Sequence, residues 1–141
     1  MKESPHPPLP VPDDLSSGFW AAAAEHSFVL ARCTQCGKFA HPPGVACRHC
    51  LHPQSEFSFV PVEGAGRICS WVVFHDSFLP GFEVPYVLVD VELDVQTGLR
   101  LIGRLVEGPD ASIQRDDRVT VVFDDIAPGV AVPAFALEAS E

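Results

Sequence analysis

Two Cys-x-x-C pairs stand ten residues apart, an alanine-rich run precedes them, and five apolar segments separated by Gly, Pro and Asp follow. Together these predict a mainly β protein with an N-terminal helix, a zinc ribbon, and five strands that fit a small barrel of the oligomer-binding (OB) type, with a simple β-sandwich as the alternative. The expected divisions are a proline-rich arm and helix over 1–26, the ribbon over 27–55 and the OB-fold domain over 56–141. The 141 residues suit one ordinary domain or two small ones, and 47% hydrophobic content supports a packed core.

MKESPHPPLPVP lacks apolar periodicity and reads as an extended arm. DDLSSGFWAAAAEHS reads as a short helix, because alanine favours helix and Asp14, Ser16 or Ser17 offers an N-cap oxygen. Phe19 and Trp20 either dock that helix onto its own domain or meet another chain. FVLAR leads into the first cysteine pair as a strand, and a second, irregular hairpin turns at Pro42, Pro43 and Gly44. SEFSFVPVE is a connecting strand, broken by Gly-Ala-Gly at 64–66.

In PYVLVDVEL, Val87, Val89, Val91 and Leu93 share one face. In LRLIGRLVE, Leu99, Leu101 and Leu105 oppose Arg100 and Arg104. In RVTVVFDD, Val119, Val121 and Phe123 oppose Arg118, Thr120 and Asp124. Period-two alternation means one buried and one wet face. RICSWVVFHDSF departs from it. Straight alternation places Ile68, Val72 and Phe74 on one side and Cys69, Trp71 and Val73 on the other, both apolar. Such a strand needs cover on both sides, from the helix, the cysteine segment or a partner protein. PDASIQRDD has room for one helical turn, and VAVPAFALE is the last strand.

The cysteine quartet Cys33, Cys36, Cys47 and Cys50 carries the strongest chemical signal. Zinc takes four tetrahedral ligands, and each knuckle aims two sulfurs at one point. Gly37 suits the positive φ after the first knuckle, whereas CRHCL lacks the second glycine that iron-binding knuckles use; zinc is therefore favoured over iron. Four protein ligands leave no place for substrate, so the metal is structural. His41, His49 and His52 are loop residues rather than ligands. No basic leader, long apolar run or disulfide framework is visible, which places the chain in the cytoplasm, off the membrane.

The net charge is −10, yet residues 27–55 hold Arg32, Lys38 and Arg48 and no acid. Four thiolates on one Zn²⁺ carry about two negative charges, so the bases balance the cluster. Alternatively Lys38 and Arg48 form an anion patch suited to phosphates. Net acidity disfavours general nucleic-acid binding. Cys69 reads as a lone structural thiol. His75 and Asp76 point to opposite faces of a strand and make no dyad by adjacency.

The order of these features resembles the DUF35 family, a rubredoxin-like zinc ribbon fused to an OB-fold. The likeness is carried by Phe19-Trp20, RCTQCG, HPP, CRHC, GAGRICSWVVFH, LPGFEVPYVLVDVEL, LRLIGRLV and VPAF, from about Ser16 to Phe135. The resemblance implies a small accessory subunit of an acyl-CoA enzyme, with a thiolase-fold partner (thiolase, synthase or steroid side-chain aldolase) or a MaoC-type hydratase. It matches Cys33, Cys36, Cys47 and Cys50 to the ribbon ligands and transfers no catalytic residue. Gly103-Arg104 departs from the small polar pair of many relatives, and AFALEASE lacks their basic residue after the final Phe. For a coenzyme A thioester, the candidate phosphate contacts are Lys38, Arg48, Arg67 and Arg104. Two rivals are a single-stranded nucleic-acid-binding protein and a free-standing acyl-CoA enzyme using His75.

Overall fold

The structure is a computed structural model and describes residues 7–77 and 81–138. The start of the proline arm, the middle of the loop before Tyr86 and the last three residues lie outside the described residues.

Helix α1 spans Ser17–Ala24 and is followed by β1 (Val29–Cys33), β2 (Phe39–Ala40) and β3 (Phe57–Pro61). The OB-type sheet consists of β4 (Ala65–Phe74), β5 (Tyr86–Leu93), β6 (Arg100–Arg104), β7 (Arg118–Ala127) and β8 (Val130–Leu137). The Ser16 side chain makes no cap bond to α1. Asp13 organises the turn before the helix instead, its Oδ1 accepting from the amides of Leu15 at 3.0 Å and Ser16 at 2.8 Å. Phe19 and Ala23 are buried, and Trp20 packs on the core. The helix rests on β8 and β1, so its aromatics dock on their own chain.

The ribbon sheet has the order β2-β1-β3, all antiparallel. The connecting strand is thus β3, paired with β1 from Val29↔Pro61 to Cys33↔Phe57. The expected second hairpin shrinks to the two residues of β2. Three prolines between 42 and 53 restrict strand pairing there, and turns carry the chain from 41 to 56. The Gly-Ala-Gly break is shorter than expected, because β4 already begins at Ala65. Gly64 and Gly66 remain necessary: a Cβ would meet Val121 Cβ at 2.5 Å and the Glu92 carbonyl oxygen at 2.6 Å.

The second sheet has the order β6-β5-β4-β7-β8, and one parallel bridge between Leu105 and Phe135 brings its two ends together. This is the five-stranded OB-like arrangement, joined at that seam by a single bridge. Gly103 sits at the seam, where a Cβ would lie 3.1 Å from the Phe135 ring. Ile68, Val87, Val89, Val91, Leu93, Leu99, Leu101, Leu105, Val119 and Phe135 form the core, as the alternation predicts; Val121 and Phe123 are half-buried. Turns, not a helical turn, occupy 109–117.

The facing of β4 differs from straight alternation. A bulge between Ile68 and Ser70 leaves Cys69 without a register partner, and pairing resumes at Ser70↔Asp90, Trp71↔Val89 and Val73↔Val87. Residues directly opposed across a ladder share a face, so Ile68 joins Trp71 and Val73, while Val72 and Phe74 point outward. The inserted residue reverses the parity of everything beyond it.

Candidate metal centre and adjoining groove

The first knuckle closes when Gly37 N–H donates to the Cys33 carbonyl at 2.9 Å, with Gly37 at φ +79°. The second repeats this: Leu51 N–H donates to the Cys47 carbonyl at 2.8 Å, and Leu51 holds φ +60° in the position of the missing glycine. Ser55 Oγ accepts from Cys47 N–H at 2.8 Å and pins that knuckle to the chain that follows.

The four sulfurs lie within 4.8 Å of one another, with Cys33 to Cys50 at 3.9 Å and Cys36 to Cys47 at 3.7 Å. A tetrahedron with Zn–S near 2.3 Å has edges of roughly 3.8 Å, so the donor set fits zinc. Cys33 and Cys47 are buried, Cys36 and Cys50 exposed. The Cys47 thiol is lowered to about 7 by the backbone N–H groups of Cys50 and His49, which favour its thiolate.

The ribbon histidines stand apart from this cluster. His49 Nε2 lies 3.1 Å from the Phe39 carbonyl, and His52 Nδ1 accepts from Gln54 N–H at 3.3 Å. His41 packs against Phe19 with ring centres 5.1 Å apart and the planes tilted by 44°; burial and the nearby Arg48 charge lower its pKa.

The four candidate phosphate-binding bases are not equivalent. Arg67 is held by Glu92 at 2.8 Å and Asp116 at 2.5 Å. Both Nε and Nη2 of Arg104 donate to Asp124 Oδ2. Arg48 donates to the Pro42 carbonyl at 2.9 Å, and Lys38 is exposed. His75 and Asp76 lie exposed beyond the end of β4.

Two features escape sequence reading. Gln96, in the β5–β6 turn, accepts from Phe39 N–H at 2.8 Å and donates to the Phe39 carbonyl at 2.9 Å, imitating a paired strand and clamping ribbon to barrel. Between them lies a groove of about 1070 Å³, walled by Trp20, His41, Pro42, Tyr86, Leu88 and Ile102. Its signal in the sequence was the pair of outward apolar residues Leu88 and Ile102 on otherwise polar faces. Arg104 also lines it, beside Glu83, Asp124 and Asp125.

Fold and site together define a zinc-ribbon/OB-fold protein. Residues 20–54 match the model of the ChsH2 rubredoxin-like zinc ribbon domain, and residues 59–124 that of the ChsH2 C-terminal OB-fold domain. A solved chain of the "Ltp2-ChsH2(DUF35) aldolase" superposes with a TM-score of 0.79 at 30% identity, covering 91% of this chain and 98% of that one. The chain belongs to the DUF35 family. A DUF35 protein of unknown function from Sulfolobus solfataricus shares the fold, with a TM-score of 0.60 at 12% identity, covering 89% of this chain and 86% of that one.

Among curated proteins, the probable enoyl-CoA hydratase alpha subunit of Thermomonospora curvata is 33% identical over 120 residues, 84% of this chain and 36% of that protein. The 3-oxo-4,17-pregnadiene-20-carboxyl-CoA hydratase alpha subunit of Mycobacterium tuberculosis is 31% identical over 111 residues, 70% of this chain and 34% of that one. The chain thus spans about a third of the length of these relatives. Among the described residues, no helix is long and apolar enough to cross a membrane.

Proposed function

We propose that this chain is a non-catalytic accessory subunit of an acyl-CoA enzyme complex, working in the cytoplasm beside a thiolase-fold or MaoC-type partner. The observation that carries this reading is the superposition over 98% of a chain from an aldolase named for two proteins, Ltp2 and ChsH2. The alpha-subunit names of the curated relatives support it.

Cys33, Cys36, Cys47 and Cys50 hold a structural Zn²⁺, which supplies a fixed cross-link and leaves no coordination position for substrate. The chain's own residues shape a ligand path. The groove has apolar walls and an acidic rim of Glu83, Asp124 and Asp125, which suits an acyl group better than a polyphosphate. The nucleotide end of a coenzyme A thioester then falls to the bases outside it. Lys38 and Arg48 are the better placed, since Arg67 and Arg104 are engaged by carboxylates.

The test is purification of the tagged full-length chain with its native complex. An acyl-CoA enzyme should be retained in fixed stoichiometry, and calorimetry on that complex should show coenzyme A binding weakened by joint charge reversal of Lys38 and Arg48. A lone chain that turns over acyl-CoA by itself and loses this on His75→Ala would overturn the reading. So would micromolar, salt-sensitive binding of single-stranded nucleic acid.

A further inference from the structure

The outer half of β4 lacks cover on two counts. β4 pairs with β7 only through Ala65, Gly66 and Arg67, although it continues against β5 to Phe74. The loop contacts Ile68 N–H to Asp117 carbonyl and Asp116 N–H to Ile68 carbonyl extend that side by one residue. From Cys69 to Phe74, among the described residues, the side away from β5 has no strand. The side chains there are also uncovered: Trp71 is 43% and Val72 49% exposed, with Phe82 and Val84 exposed at the same end of the sheet.

Folded proteins usually blunt such an edge with a charge, a proline or a covering element. Cys69–Phe74 reads CSWVVF and has no charge and no proline. The helix and the ribbon were two of the three covers this strand could have had. Helix α1 lies against β8 and β1, and Trp71 and Val72 stay exposed with the ribbon in place. That leaves another polypeptide.

We infer that the β4 edge from Cys69 to Phe74 is the docking site for an apolar strand of a different polypeptide, added by backbone hydrogen bonding with Trp71 and Val72 packed on either face. This rests on the accessory-subunit reading, which supplies the partner as an acyl-CoA enzyme. Charge argues against a second copy. Asp76 follows the neutral edge, and Asp116 and Asp117 border its other end at Ile68, where Arg67 is already paired with Glu92 and Asp116; on a chain of net charge −10, two copies would bring like-charged rims together. The fitting occupant is an apolar strand flanked by basic residues. The size of the curated relatives agrees: in them a module of this kind is about a third of a larger polypeptide.

The test uses the co-purified complex and the variants Val72→Lys and Trp71→Lys, both at exposed positions. Hydrogen exchange of the Cys69–Phe74 amides should slow at least tenfold in the complex relative to the free chain. Each variant should weaken association at least tenfold while keeping the free chain's melting temperature. Unaltered exchange and wild-type affinity in both variants would overturn the surface while leaving the accessory reading intact. A retained partner that is not an acyl-CoA enzyme, yet is released by Val72→Lys, would sink the accessory reading and keep the surface. A free chain that is dimeric by light scattering and made monomeric by Val72→Lys would assign the edge to a second copy and refute the inference. A chain that retains no protein would refute both.

Discussion

The ribbon and the barrel reach order by different physics. The barrel buries a contiguous set of aliphatic side chains around Phe135, from four of its five strands and their flanks. The ribbon sheet has one five-residue strand that buries its side chains well, a two-residue partner and the half-buried β3, and turns carry the chain from 41 to 56. Its deepest residues include Cys33 and Cys47. What aliphatic packing does for the barrel, four sulfurs on one ion do for the ribbon. The lesson is that a short segment with little regular structure can still be placed with side-chain accuracy, provided it is cross-linked and clamped to a neighbour.

The sharpest way to break this contrast is to remove the ion. In isolated zinc-finger peptides the metal supplies about 10–16 kcal/mol, which exceeds anything the ribbon's own packing can replace. Cys47→Ser should take zinc from one per chain to none and unfold the ribbon. Elemental analysis and near-UV circular dichroism read these effects, while far-UV β signal from the barrel persists. Loss of the barrel signal as well would show that the two regions are one cooperative unit.

The converse variant attacks the barrel. Phe135 is fully buried at the seam, and Phe135→Ala should cost about 3–5 kcal/mol through lost burial and the cavity left behind. Calorimetry should show a lower melting temperature with zinc content unchanged. Zinc released at the same temperature as barrel unfolding would erase the distinction.

The joint between the two regions gives a smaller effect with an unusual sign. In an exposed helix, glycine to alanine gains about 1 kcal/mol. At Gly18, however, a Cβ would come within 2.4 Å of the Phe59 ring on β3. Gly18→Ala should therefore destabilise by about 1–3 kcal/mol, the cost of overpacking, in denaturant melts. A gain in stability would mean that α1 is not seated on the ribbon sheet.

What the sequence made legible follows from the range of the interactions involved. Alternation located the core faces of β5 and β6 because a strand's period is a local property. The cysteine spacing identified the metal centre for the same reason. The faces of β4 were misjudged because a one-residue bulge is set by its pairing partner, and nothing in RICSWVVF announces it. Gln96 was invisible because its two hydrogen bonds reach Phe39, 57 residues away. The groove required the helix, the ribbon and four strands to be placed before its walls could be seen together.

The finest test lies within the ribbon, between its two knuckles. They are the same turn, each closed by an amide bonding back to the first cysteine's carbonyl. Gly37 adopts φ +79° at no steric cost, while Leu51, 74% exposed, is held at φ +60°. A residue with a Cβ loses about 1–2 kcal/mol in this region. Glycine gives back about 0.4–1 kcal/mol through the greater freedom of its unfolded chain. Leu51→Gly should therefore strengthen the ribbon by at most about 1.6 kcal/mol, and Gly37→Ala should weaken it. Because the ion dominates the ribbon, the melting temperature is a blunt readout, and competition with a chelator resolves the difference better. Slower zinc loss in Leu51→Gly and faster loss in Gly37→Ala would place the strain in the second knuckle. Faster loss in both would show instead that the leucine side chain shields the thiolates from water.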